Sequence, residues 1–366
     1  MKQCEKIPVK DLKVSAYTIP TDSPESDGTF TWDHTTLILV ETTAGGQTGI
    51  GYSYAGKTTA RFIEENLREI VVGREAMQIP LIHQLMVQTV RNDGNCGITS
   101  MAISAVDNSL WDLKAKILAL PLASLLGKVH DGFSIYGSGG FTSYSIDRLQ
   151  KQLGGWADQG IKQVKMKIGR DPSMDMERVR KAREAIGPDT QLFVDANAAF
   201  TARQALDFAW QVSEFNVTWF EEPVNAHDLK GLNFVRKKAP PPMQIAAGEY
   251  GYHLPYFEEM MDAGAVDVLQ ADATRCGGIS TFLKAGHSCQ AHQLPFSSHC
   301  APAQHLHPAL SVPAFYTGEY FYDHVRIENM LFDGMPAPLN GRLYPDMGRP
   351  GLGLEFKYRD AEKYKV

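Results

Sequence analysis

Three acidic residues set the chemical question. Asp195 lies in LFVDAN, Glu221 in VTWFEEP and Glu249 in QIAAGE. Each closes a short apolar run of the kind that forms a buried strand. If those strand ends face one mouth, the three carboxylates converge. Two such charges about 4 Å apart repel by roughly 4 kcal/mol at an effective dielectric of 20. Three of them need protons, lysine partners or a cation, and an all-oxygen set suits Mg²⁺ or Mn²⁺ better than zinc. A salt-bridge network with nearby lysines is the competing explanation. Glu222 is next to Glu221, but strand alternation turns it to the other face. Glu221 is therefore the expected ligand and Glu222 a supporting residue behind it.

Two lysines and an Asp/His pair complete the set. Lys165 and Lys167 in VKMKIG are two apart on a strand and so face the same side. Neighbouring ammonium groups and a nearby metal each depress a lysine pKa, which would let one act as a base near neutral pH. A solvated strand end is the alternative. Asp272 closes VDVLQAD and His299 closes LPFSSH. On adjacent strand ends an Asp can hold one imidazole nitrogen while the other faces a pocket. The later HxH pair, His305 and His307, invites comparison with zinc hydrolases. It comes late, follows a proline and has no supporting histidine on the strands ending at Glu249 and Asp272, so packing or surface roles are expected. The GSGG (137–140) and GIG (49–51) runs lack the context of a phosphate or dinucleotide loop and read as turns.

These residues recur at a beat that implies their scaffold. From Lys167 to Glu319, successive members stand 20 to 28 positions apart, close to the length of a strand, a helix and two connections. SIYGSGGF supplies a first strand and FYTGEYF, with Glu319, an eighth. The expected fold class is α/β, a modified (β/α)7β TIM-type barrel over residues 126–330, with no helix expected after Glu319. Residues 1–125 read as an N-terminal α+β capping domain. DLKVSAYTI, TTLILVETT and the run after TTAGG form its strands, and ITSMAISAVDNSLWDLKAKIL forms a core helix. A polar stretch at about 20–34 carries Phe30 and Trp32, as a mobile lid or as aromatics packed on the surface. Residues 331–366, rich in Pro and Gly, are expected to return to the capping domain.

Composition narrows the partners. The 366 residues are 43% hydrophobic and 21% charged, with a net charge of −6 and no basic tract. That argues against nucleic-acid and anionic-membrane partners. The start, MKQCEKIPVKDLKV, lacks the apolar core of a secretory signal. No window has the roughly 18 apolar residues that span a bilayer. Five scattered cysteines (4, 96, 276, 289 and 300) without CxxC spacing are expected as reduced thiols in a cytoplasm.

Over essentially its whole length, the chain resembles the enolase superfamily, in its mandelate racemase subgroup. The KxK motif is Lys165-Met166-Lys167. The resemblance implies that Lys167 is an acid/base catalyst and that Lys165 tunes it and contacts the substrate carboxylate. It implies Mg²⁺ or Mn²⁺ on Asp195, Glu221 and Glu249, a dyad of Asp272 and His299, and a pocket position at Asn197. Glu319 is implied as the carboxylic acid that hydrogen-bonds the substrate carboxylate. Phe30, Trp32, Tyr52 and Tyr54, with Tyr17, would close over the distal end of the substrate, and Arg275 could add a polar contact. The substrate class implied is a small-molecule carboxylate. The activity implied is dehydration of a sugar acid, aldonate or aldarate, to a 2-keto-3-deoxy acid. Racemisation, epimerisation or lactone cycloisomerisation by the same groups stays open, as does which of Lys167 and His299 is the base. A homo-oligomer, octamer or dimer, is also implied.

Overall fold

Alternating apolar residues in the N-terminal region build an antiparallel sheet of β1 (Asp11–Ser26), β2 (Thr31–Ala44) and β3 (Gln47–Tyr54), in that order. The structure is a computed structural model describing residues 6–366, so Cys4 lies outside the described residues. The helix Ile98–Ile117 packs on β3. The GIG run, expected as a turn, lies inside β3 because this contact needs it. A Cβ at Gly49 would meet the Ser109 carbonyl oxygen at 2.3 Å, and one at Gly51 would meet the Ser109 nitrogen at 2.3 Å. Small residues here let two backbones touch.

The polar stretch expected as an irregular lid is instead the end of a long β1–β2 hairpin. Glu25 pairs with Trp32 across the strands, and the register shifts between Pro20 and Glu25. The buried Glu25 carboxylate accepts a bond from Trp32 Nε1 (2.9 Å), which lets a polar sequence extend the ribbon. Its tip docks on the barrel. Thr142 N–H donates to the Ser26 carbonyl (2.8 Å), and Thr29 Oγ1 donates to the Asn197 carbonyl (3.2 Å).

Eight parallel strands follow: β4 (Phe133–Gly139), β5 (Gln163–Lys167), β6 (Gln191–Asp195), β7 (Val217–Glu221), β8 (Gln244–Ala247), β9 (Val268–Ala271), β10 (Phe296–Ser298) and β11 (Phe315–Phe321). They pair in chain order, and β11 closes on β4, making a barrel without edges. Most of the GSGG run, also expected as a turn, is part of β4. Tyr136, Phe193, Trp219, Ala246 and Val268 fill the barrel interior. The opposite strand faces, with Val164, Met166, Leu192, Val194, Phe220 and Ile245, join the larger core beneath the helices. Strand ends are level: Lys167 pairs with Asp195 and Asp195 with Glu221.

A ten-residue helix, Tyr322–Leu331, follows the eighth strand, where none was expected. Its buried face includes Asp323, His324 and Glu328, so its apolar periodicity is too weak to show. The remaining chain returns across the N-terminal sheet, with a Tyr17–Lys365 bridge and Phe356 packed on Tyr17 at 5.1 Å. Among the described residues no helix is long and apolar enough to cross a membrane.

Candidate active site

Parallel closure puts the chemistry at one mouth. Lys165 and Lys167 stand on β5, Asp195 and Glu221 end β6 and β7, and Glu319 sits in β11. Glu249, Asp272 and His299 follow β8, β9 and β10 within two residues. All eight are buried. A cavity of about 480 Å³ opens above them. Its floor carries Lys167, Asn197, Glu249, His299 and Cys300; its outer wall comes from the β1–β2 hairpin, the end of β3 and the segment after β11.

On the β5 side, Lys167 Nζ donates to Asp195 Oδ2 (2.5 Å). Lys165 Nζ is ion-paired to Glu221, to Glu319 Oε1 (2.8 Å) and to Asp195 Oδ2 (3.3 Å). Glu221 Oε2 accepts from Trp219 Nε1 and Gln270 Nε2, both at 3.0 Å. On the β10 side, His299 Nδ1 bonds Asp272 Oδ2 (2.9 Å), and Nε2 stands 3.4 Å from Glu249 Oε2. The strand order β5-β4-β11-β10 sets the lysines and the histidine three strands apart, on opposing walls.

One oxygen each from Asp195, Glu221 and Glu249 lies within 4.8 Å of the others. Glu249 Oε2 is buried without a hydrogen-bond partner. An all-oxygen trio with an unsatisfied donor atom fits a hard divalent cation. Glu222 departs from expectation. Its φ of +38° breaks the strand alternation, and both carboxylate oxygens are buried without partners. Burial, then Glu249 and Asp195, push its pKa well up, so it belongs to the same charge cluster.

The charges sort by their neighbours. Burial pushes the Lys165 and Lys167 pKa values down, but adjacent carboxylates outweigh it and hold both above the ordinary lysine range. That opposes the expected depression by mutual repulsion, because Glu221, Glu319 and Asp195 surround Lys165, and Asp195, Glu249 and Glu319 surround Lys167. Burial also works against the ionised forms of Asp272 and Glu319. His299 outweighs it at Asp272; Lys165, then His299, do so at Glu319, so both stay below the usual carboxylate range. Glu319 accepts from Ser138 Oγ (2.6 Å) and the Cys300 N–H (2.8 Å).

Phe30, Trp32, Tyr54 and Arg275 line the cavity as expected. Tyr52 does not. Two residues farther from the strand end, it is covered by the Tyr322–Leu331 helix and donates to Glu328 Oε1 (2.5 Å). Tyr17 lies under the returning tail. His305 and His307 are buried packing residues that accept from the Ala273 (2.8 Å) and Ala123 (3.1 Å) N–H groups. Several lining residues escaped sequence reasoning. Cys300 Sγ stands 3.1 Å from His299 Nε2, and its place after a candidate catalytic histidine was the available signal. Tyr250 after β8, His34 on β2 and His324 on the Tyr322–Leu331 helix had none, since tertiary packing alone brings them in.

Comparison with known proteins follows the same lines. Residues 148–361 match the family model described as enolase C-terminal domain-like. Residues 11–127 match the N-terminal domain of mandelate racemase / muconate lactonizing enzyme. The chain is 31% identical over 355 residues to L-talarate/galactarate dehydratase of Salmonella typhimurium, covering 94% of this chain and 87% of that one. A structure of that enzyme liganded with Mg and L-lyxarohydroxamate superposes with a TM-score of 0.91 at 28% identity, covering 100% of this chain and 95% of that one. The 3,6-anhydro-alpha-L-galactonate cycloisomerase of Streptomyces coelicolor is 31% identical over 313 residues, 83% of this chain and 86% of that one. A mandelate racemase/muconate lactonizing enzyme-like protein from Rubrobacter xylanophilus is 50% identical, with a TM-score of 0.96 over 98% of this chain and 100% of that one.

Proposed function

The chain belongs to the mandelate racemase/muconate lactonizing enzyme family of the enolase superfamily, and from that premise we propose that it is a Mg²⁺-dependent dehydratase of a sugar acid, aldonate or aldarate, yielding a 2-keto-3-deoxy acid. One observation carries the reading. Lys167 and an Asp272-backed His299 face the same cavity from opposing walls, with the Asp195, Glu221 and Glu249 trio on the strands between. Those three carboxylates would hold the cation, which when bound acts as a Lewis acid at the substrate carboxylate.

The side chains do the rest. Lys167 Nζ or His299 Nε2 takes the proton from the carbon beside the carboxylate, and the electron pair of that C–H bond moves toward the carboxylate. Lys165, held between Glu221 and Glu319, keeps a fixed positive charge at this end. Asp272 holds the His299 Nδ1–H and so leaves Nε2 facing the cavity. Loss of the β-hydroxyl as water, with a proton from the opposing catalyst, breaks the C–O bond as the C=C bond forms. The enol then tautomerises to the ketone.

A second reading uses the same groups. With acid/base residues on both walls, reprotonation from the opposite face gives racemisation or epimerisation. The cycloisomerase relative also favours keeping lactone cycloisomerisation in view. Assay of mono- and diacid sugars with Mg²⁺ in D₂O decides between them. Release of 2-keto acid is the expected result. Deuterium uptake or epimer formation without keto acid would replace dehydration with isomerisation.

A further inference from the structure

We propose that His299, Cys300 and Glu319 form a second cation site, one that takes a zinc-type ion and, when filled, withdraws His299 from proton transfer. The binding stands on geometry and donor chemistry; its effect on turnover rests on the functional reading above.

The three side chains offer a nitrogen, a sulfur and an oxygen, one atom from each lying within 4.8 Å of the others. His299 Nε2 stands 3.1 Å from Cys300 Sγ and 3.8 Å from Glu319 Oε2. Tetrahedral zinc, with bonds of about 2.0–2.3 Å, needs ligand atoms roughly 3.4–3.6 Å apart, so small side-chain shifts close the site. Magnesium has no use for a thiolate, whereas zinc takes all three ligand types. Donor chemistry therefore separates this set from the Asp195, Glu221 and Glu249 trio, with which it shares no residue.

The backbone builds the set. Neighbouring side chains on a strand point to opposite faces, yet His299 and Cys300 both line the cavity. Cys300 has a φ of +49° and Ala301 one of +40°, a left-handed turn that non-glycine residues rarely adopt. The turn brings Sγ back beside the His299 ring, and the Cys300 N–H donates to Glu319 Oε2 at 2.8 Å. Two of the ligands are also held from behind. Asp272 Oδ2 meets His299 Nδ1 at 2.9 Å, the carboxylate support that metal-binding imidazoles commonly have. Ser138 Oγ and Lys165 Nζ both engage Glu319 Oε1, at 2.6 and 2.8 Å, leaving Oε2 toward His299. Burial, then Glu319 and Asp272, push the Cys300 thiol up, so it keeps its proton until a cation displaces that proton to solvent. The cavity gives an ion a path in and room for a fourth ligand. Bound there, the ion takes up the Nε2 lone pair that proton abstraction needs.

The test uses the full-length protein saturated with Mg²⁺ and titrated with Co²⁺, a spectroscopic stand-in for zinc. Cobalt on the triad should show the intense thiolate-to-cobalt charge-transfer band of a tetrahedral site; cobalt exchanged into the all-oxygen trio shows none. The band should appear in the wild type and vanish in Cys300→Ser. No band in the wild type overturns the proposal. So does a band that persists in Cys300→Ser, which would place the ion on another thiol. Zn²⁺ should also inhibit turnover of the best sugar acid in excess Mg²⁺. Measured against its own zinc-free rate, Cys300→Ser should need at least about 10-fold more Zn²⁺ for the same inhibition, the smallest loss expected on removing even a supporting group. Absence of inhibition, or equal sensitivity of the two proteins, overturns the inhibitory role. If no sugar acid is turned over, the dehydratase reading fails by itself and the cobalt band still decides the site.

Discussion

Replacing Asp272 with asparagine removes a charge from the catalytic site while keeping its shape. The carboxylate sits 2.9 Å from His299 Nδ1, and its other oxygen accepts the Thr274 N–H at 2.7 Å. Asparagine has one acceptor oxygen, so it keeps only one of these bonds and turns an NH₂ donor to the other partner. Nor can it stabilise an imidazolium. With charge centres about 4 Å apart and an effective dielectric of 20, that attraction is about 4 kcal/mol. If His299 carries the proton in the limiting step, the rate should fall about 10³-fold. The assay is kcat/KM on the best sugar acid from the screen, with a melting curve as the control for folding. A loss under about 10-fold in a folded variant would refute the view that Asp272 supports a charged His299.

Further expectations test separate parts of the site. Glu328 is pushed up to about 8 from an ordinary 4.5, burial being the main cause. Because its folded pKa is raised, its contribution to stability is complete below about pH 4.5 and disappears as pH rises toward 8, a loss of order a few kcal/mol. Glu328→Gln should flatten that part of the stability–pH curve; an unchanged slope would place the titration elsewhere. Phe30→Ala removes a 65% exposed ring from the cavity rim and should impair discrimination among sugar acids, read as altered KM ratios with little change in melting temperature. Kinetics unchanged on every substrate would remove the hairpin tip from substrate binding. Asp195→Asn leaves the Asn197 N–H bond an acceptor but takes a charge from the trio. It should weaken Mg²⁺ binding by at least about tenfold in titration calorimetry, and unaltered affinity would exclude Asp195 as a ligand.

What the sequence made legible was everything that depends on strand periodicity. The apolar runs ending in Lys167, Asp195 and Glu221 are the strands, and level registers bring those residues together. The parts that stayed hidden depend on tertiary contacts. Glu222 departs from strand alternation through a positive φ that no alternation rule anticipates. The hairpin carrying Trp32 is polar because its stability comes from Glu25 and from docking on Asn197 and Thr142. Tyr52 and Tyr54 share a strand face, yet only the latter reaches the cavity, a difference set by the helix that covers Tyr52. Glu319 could be placed from the sequence, but not its surroundings, which Ser138, the Cys300 N–H and Lys165 make up.

The central claim is that two catalysts on opposing walls act on the carbon beside a carboxylate. It is tested most directly by α-proton exchange in D₂O with Mg²⁺, followed by ¹H NMR on a pair of sugar acids epimeric at C2. Lys167→Ala should abolish exchange for one epimer and leave the other, His299→Asn should do the reverse, and the double variant should exchange neither. Loss of both epimers in each single variant, or exchange that persists in the double variant, would contradict the account.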